Sequence, residues 1–274
     1  MDLGYHGHVD LAEYLLARYA REANDFDLFS VIDLYESYRA HVRAKVSGFI
    51  TLDPGVSEDS RTHARAEARR YFRLALALCN RTALTPNVIV VGGNLATGKS
   101  TIANWIGTRL SCPVVDTDRT RKYLLGISTT QFAGGPEWRG AYSSAFTEQV
   151  YGELFRRAGI VLDSGRSVIL DATFRSAKLR KQVRDIALSH NVPFRFIECT
   201  APISVCRERL LKREHQAAVS DARAGLLDSF RDSFEAIREL DSREHIVLDT
   251  SLSFDDTTQS LKDSLPFLPP HLAA

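Results

Sequence analysis

The stretch Gly93-Asn94-Leu95-Ala96-Thr97-Gly98-Lys99-Ser100-Thr101 places two glycines, a lysine and a hydroxyl at the spacing GxxxxGK[ST]. That combination suits a polyphosphate. Glycine reaches positive φ and lets backbone N–H groups approach phosphate oxygens, while a helix starting at the lysine adds the partial positive charge of its N-terminus. Lys99 supplies a compact cation for the β and γ phosphates, and the Ser100 hydroxyl is a hard oxygen ligand for Mg²⁺. The same letters also fit a glycine-rich helix entry with an exposed lysine, so context decides. Val88 to Val91 reads as a strand directly before the loop, and Ile102, Trp105, Ile106 and Leu110 read as the inner face of a helix directly after it.

A phosphate cradle transfers nothing without a metal carboxylate, a base at the acceptor and cations to screen the moving charge. Asp171 closes the apolar run in SVILDAT. A carboxylate at the carboxyl end of a parallel strand lies at the ligand crevice of such sheets, which suits holding Mg²⁺; otherwise it caps the next turn. VVDTDRTRK crowds Asp116, Asp118, Arg119, Arg121 and Lys122 behind a second short strand. Asp118 and Arg121 are three apart, so on a helix they share a face, where a carboxylate takes a hydroxyl proton and a guanidinium fixes the acceptor. Asp116 competes for the base role, and an N-cap with a solvated ion pair is the plainer alternative. Downstream, Arg209 and Arg213 stand four apart in ISVCRERLLKREHQ, placed either to close over a transferring phosphoryl group or to form a solvated basic face.

These groups need a sheet to align them. From Pro86 onward, apolar runs alternate with helical stretches: Val88 to Val91, Val114 to Val115, Val168 to Leu170, Phe194 to Ile197 and Ile246 to Leu248. The alternation predicts an α/β domain over 86–274, with a parallel sheet covered on both faces. Residues 1–85 read as helices only. Leu28, Val31, Ile32, Tyr35, Tyr38, Val42 and Val46 recur at helical steps and are expected to face a core. Asp53-Pro54-Gly55 separates them from a second helix at about Ser57 to Cys79.

Bulk properties narrow the partners. Lys plus Arg total 35 against 34 Asp plus Glu, so no whole-protein field draws the chain onto nucleic acid or an anionic membrane. No apolar run approaches the roughly 18 residues of a spanning helix, and MDLGYHGHVD lacks the layout of a secretory signal. Cys79, Cys112, Cys199 and Cys206 show neither a CxxC pair nor staple-like spacing, so the expected location is the cytoplasm. His6 and His8 form an isolated HxH with no third ligand in reach of the sequence.

GNLATGKST, the DxxR element Asp118-Arg119-Thr120-Arg121 with Lys122, VILDATF, the run carrying Arg209 and Arg213, and IVLDTS at 246–251 together resemble a family of P-loop kinases. The family includes phage-type polynucleotide 5′-hydroxyl kinases, chloramphenicol phosphotransferases and zeta-toxin-like kinases. The resemblance covers about 87–265. It implies a P-loop NTPase, NMP-kinase-like fold: a five-stranded parallel sheet in order 2-3-1-4-5 with helices on both faces, here with an all-helical segment ahead of it. It also implies ATP and Mg²⁺ as cofactors and transfer of the γ phosphate to a hydroxyl. Asp118 would be general base, Arg121 the acceptor contact, Arg209 and Arg213 lid residues, and IVLDTS a neighbour of the adenine. A small-molecule acceptor is favoured over a nucleic acid 5′ end because of the near-zero charge, and QFAGGPEWRGAYSS, with Gly134-Gly135-Pro136 and Trp138, is a candidate lining. Residues 2–80, in LYESYRAHVRAK and ARRYFRLA, resemble the final helices of an aminoglycoside-phosphotransferase-like domain. Its HxDxxxxN loop is missing, so no second kinase activity is expected. The rival reading is a non-catalytic nucleotide-binding module or an ATPase acting through a partner. Simple binding would not require both Asp118 and Arg121, and no water-activating residue stands out for the second.

Overall fold

The computed structural model describes residues 1–79, 86–133, 140–213 and 219–265. Helices α1 (Asp2–Tyr5), α2 (Val9–Ala23), α3 (Ile32–Ile50) and α4 (Glu58–Cys79) come first. The chain then alternates: β1 (Val88–Gly93), α5 (Lys99–Leu110), β2 (Val114–Asp116), α6 (Thr117–Leu124), α7 (Ser144–Asp163), β3 (Val168–Asp171) and α8 (Ala177–Ser189). It continues through β4 (Phe194–Thr200), α9 (Ile203–Arg213), α10 (Leu227–Asp232), β5 (His245–Asp249) and α11 (Phe254–Ser264). All five expected strands form. They pair in parallel in the order β2-β3-β1-β4-β5.

Side-chain alternation along the central strands explains the two-layer covering. Val88 and Val90, with Val168, Leu170, Phe194 and Phe196, point into one core together with Leu154, Ala158 and Val161 of α7 and Val183 of α8. Ile89 and Val91 point the other way, against Ile102 and Ile106 of α5 and Leu261 of α11. Trp105 and Leu110 pack on the edge of that second core, as their helical spacing predicts. Helix starts carry their own signals: Ser143, Ser176, Ser253 and Asp116 each accept a hydrogen bond from the backbone N–H three residues on.

The N-terminal helices join the first core through Ala20, Phe26 and Phe29, all nearly inaccessible. One expectation for this region fails. Leu28 and Ile32 do pack against the core, but Tyr35, Tyr38 and Val46 are 62%, 63% and 52% exposed. The face that α3 buries is instead Ser37, Ala40, Ala44 and Ser47, set against Ala64, Ala68, Tyr71 and Ala75 of α4. Small residues allow two helix backbones to approach closely, so the alanine stripe wins the contact and the bulkier stripe is left outside.

The turn out of β1 leaves no room for a side chain. Gly93 has φ +127°, and a Cβ placed there would stand 2.3 Å from the Cys199 carbonyl oxygen, a backbone atom that cannot swing aside. Gly93→Ala is expected to destabilise the protein by about 3 kcal/mol or more in urea unfolding, from backbone strain plus overpacking. Gly159→Ala, in α7 with nothing within 4 Å of the added atom, should instead be neutral or gain up to about 1 kcal/mol. Similar losses from both would contradict the packing described for Gly93.

Candidate active site

Between β1 and α5 the backbone curls into a tight loop. Ala96 (φ 57°) and Gly98 (φ 81°) take left-handed conformations, and Gly98 caps α5 so that the helix starts at Lys99. Alternating handedness of this kind turns successive N–H groups toward one point and makes an anion nest. The loop is fixed from inside by Thr97 Oγ1, which donates to the Asn94 carbonyl at 2.9 Å, and Lys99 Nζ donates to the same carbonyl. From outside, Thr250 Oγ1 donates to the Thr97 carbonyl at 2.7 Å. Arg209 Nη1 donates to the Ala96 carbonyl at 3.2 Å and Arg209 Nη2 to the Thr250 carbonyl. Arg209 therefore lies against the back of the loop, beside IVLDTS, and is not among the residues lining the cavity in front of it. Arg213 ends α9, and its side chain lies outside the described residues, as do Gly134, Gly135, Pro136 and Trp138.

Strand register brings the carboxylates to the loop. Asp116 at the end of β2 is the direct neighbour of Asp171 at the end of β3, which in turn pairs with Val91 of β1. Asp171 is buried, with the Ser100 hydroxyl beside its carboxyl. Burial above all, then the Asp116 charge, pushes its carboxyl up to about 6, against the pull of Ser100 and Lys99. Asp116 is fully engaged: Oδ1 accepts the Arg119 N–H at 2.7 Å as N-cap of α6, and Oδ2 meets Arg21 at 3.3 Å and Arg119 Nε at 3.6 Å. Asp118, in the first turn of α6, has no such clamp. Half-buried by surface area but ringed closely by protein, its carboxyl is raised above the ordinary carboxylate range by that loss of solvent and by the Asp116 charge, with Ser220 and Arg121 acting in opposition.

One cavity of about 410 Å³ is bordered by Lys99, Ser100, Asp116, Asp118, Arg121 and Asp171, so the predicted site residues from three strand ends do face a shared space. Its size suits a small molecule. Arg121 is buried, donates to the Ala141 carbonyl and lies 4.5 Å over the Tyr142 ring. Tyr142 in turn donates to Asp221 at 3.1 Å, and Asp221 forms a buried ion pair with Lys122 at 3.1 Å. Among the described residues no three His, Cys, Asp or Glu side chains group to hold a metal. The Ser100 hydroxyl and the Asp171 carboxyl, both bordering the cavity beside the loop, are hard oxygen donors of the kind that could hold Mg²⁺.

Several lining residues were not visible in the sequence. Arg175 follows VILDATF and carries the same strand-end signal as Asp171; burial and the nearby Arg121 charge lower its pKa. Ser220 and Asp221 lie beyond α9, and Arg18, Arg21 and Glu22 come from α2, about a hundred residues from anything they touch in the site. No local spacing could reveal them.

A family model described as an AAA domain matches residues 88–237. An uncharacterized protein of Mycobacterium tuberculosis (strain ATCC 25618 / H37Rv) is 35% identical over 213 residues, 78% of this chain and 41% of its own length. An uncharacterized protein of Mycobacterium bovis gives the same figures, so the chain spans about two fifths of the length of the curated relatives it matches. Among solved structures, Kti12 from Chaetomium thermophilum in complex with ADP-AlF3 superposes with a TM-score of 0.51 at 19% identity, covering 67% of this chain and 100% of that one. A sugar kinase from Janibacter sp. HTCC2649 superposes with 0.50 at 21% identity, covering 70% and 99%. Both likenesses concern the fold, a P-loop kinase-like parallel sheet in the order seen here. No helix among the described residues is long and apolar enough to cross a membrane.

The Asp171 environment has a stability consequence with a definite sign. A carboxyl raised from 3.8 to about 6 keeps its proton in the folded state while the unfolded chain has lost it. Stability of the nucleotide-free protein therefore falls as pH rises from about 4 through 6. Asp171→Asn should stabilise this form by on the order of 2–3 kcal/mol at pH 7, a gain that vanishes toward pH 4. Urea unfolding at both pH values measures it; a destabilised Asp171→Asn at pH 7 would contradict the environment described.

Proposed function

We propose that this chain, which belongs to the AAA domain family, is a Mg²⁺-dependent kinase that transfers the γ-phosphoryl group of ATP to a hydroxyl of a small molecule held in the cavity. One observation carries the reading. Asp118, a carboxylate with no ion pair among the described residues, borders the same cavity as the phosphate loop, Ser100 and Asp171.

In this reading the loop amides and Lys99 hold the β and γ phosphates. Mg²⁺ bound at Ser100 and Asp171 supplies charge neutralisation between the phosphates. Asp118 accepts the acceptor's hydroxyl proton as the new O–P bond forms and the bond from the γ phosphorus to the bridging oxygen breaks, leaving ADP. Asp116 is the weaker candidate for base because its two oxygens already serve the α6 cap and two guanidinium groups. Arg121, fixed by Ala141 and Tyr142, orients the acceptor. Arg209 and Arg213 screen phosphate charge, Arg209 from behind the loop it braces. Residues 1–85, reminiscent of the end of an aminoglycoside-phosphotransferase-like domain, serve 86–274 as a helical cap.

Labelled ATP with Mg²⁺, offered against pooled nucleosides, sugars, antibiotics and oligonucleotides, tests this. Transfer to a small molecule is expected. Asp118→Asn should lower the rate about 10²–10⁴-fold while nucleotide affinity stays within a few-fold, and Lys99→Ala should lose nucleotide binding itself. Undiminished transfer by Asp118→Asn would remove Asp118 as base, and ATP binding with no transfer to any pool would favour a binding module.

A further inference from the structure

The residues that hold the base-bearing helix in place do not all come from the matched family segment. Arg21 lies on α2, far outside 88–237, yet its side chain is only 11% exposed and reaches the centre of the site. Nε and Nη2 both meet Asp116 Oδ2 at 3.3 Å, and Nη1 donates to Asn104 Oδ1. Asn104 is one helical turn beyond Ser100 on α5, and Asp116 is two residues before Asp118. One guanidinium thus bridges the helix that carries the metal hydroxyl and the helix that carries the base. The neighbouring turn adds two further ties: Glu22 receives Arg119 Nη1 at 3.1 Å, and Asn24 Oδ1 receives Arg157 Nη1 at 3.3 Å, with Arg157 also donating to Thr120 of α6. Arg18 and Glu22 complete that wall of the cavity.

We infer that α2 is a working part of the phosphoryl-transfer site and that Arg21 is a positioning residue: it clamps α6 to α5 and so sets Asp118 relative to Ser100 and Lys99. This rests on the kinase reading above. Arginine is suited to the task because its planar fork serves two acceptors at once, which a lysine's point charge on a single stem cannot reproduce. Asp116, only 7% exposed, is the anchor, and losing Arg21 leaves it with Arg119 as its one guanidinium partner. The base then shifts with its helix, while the phosphate nest on the other side of Lys99 is untouched.

The test uses the full chain carrying Arg21→Met, Arg21→Lys or Asn104→Ala. With the same pooled acceptors, at a temperature where each variant is still folded, Arg21→Met should lower label transfer about 10–100-fold with the affinity for a fluorescent ADP analogue within about twofold, and Arg21→Lys should recover part of the rate. Amide hydrogen exchange reads the clamp without any acceptor: Thr117–Leu124 should exchange faster in Arg21→Met than in the native protein while the β1 amides keep their protection. Should Arg21→Met not fold, Asn104→Ala opens the α5 end of the bridge alone and carries the same expectations. A native protein that labels no acceptor counts against the kinase reading, and the exchange result still decides the clamp. Unchanged α6 exchange with an unchanged rate, or a rate loss that only follows a fall in Tm and ADP affinity, overturns it.

Discussion

Three carboxylates that repel one another, two of them buried and one half-buried at the mouth of the same cavity, are the constraint around which this structure is organised. Parallel pairing puts Asp116 beside Asp171, and α6 starts at once so that Asp118 follows two residues later. Left alone, such a cluster would take up protons or push the strand ends apart. Each member is handled differently. Asp116 is neutralised by Arg21 and Arg119 and spent on capping α6; Asp171 is given a hydroxyl, Ser100, and the field of Lys99; Asp118 is left with Ser220 and a more distant Arg121. The carboxylates with the least compensation are the ones assigned the metal and the proton.

Much of this was legible because parallel α/β folds concentrate their chemistry at strand ends, where sequence and space coincide. The loop from Gly93 to Ser100 begins where β1 ends, and Asp116, Asp118 and Asp171 each lie within two residues of the end of a strand that a β-branched run announces. Arg121 follows from helical spacing alone. The central strands β1 and β3, with β2, are short and fully buried, so their apolar runs stood out against polar helices.

What stayed hidden depends on long-range packing. Arg21 reads as one more arginine in an amphipathic helix; only the docking of Ala20, Phe26 and Phe29 into the sheet core turns it toward Asp116. Tyr142 lies in the QFAGGPEWRGAYSS segment that the sequence offered as a lining, but its partner Asp221 became visible only once the segment after α9 met the 140–142 turn over Arg121. The Tyr35–Tyr38–Val46 stripe misled for a related reason. Helical periodicity identifies two candidate faces, and it was the alanine face, able to bring two backbones close, that was buried. Composition along a helix tells which stripes exist and leaves their partners to the tertiary fold.

A crystal structure of the protein with Mg²⁺ and a non-hydrolysable ATP analogue tests the central claim most directly. The account predicts the triphosphate threaded through the Gly93–Ser100 amides, the ion on Ser100 and, directly or through water, on Asp171, and the Asp118 carboxyl facing the open side of the γ phosphate. A nucleotide seated elsewhere, or an Asp118 turned away with solvent-filled distance between it and the γ phosphate, would contradict it.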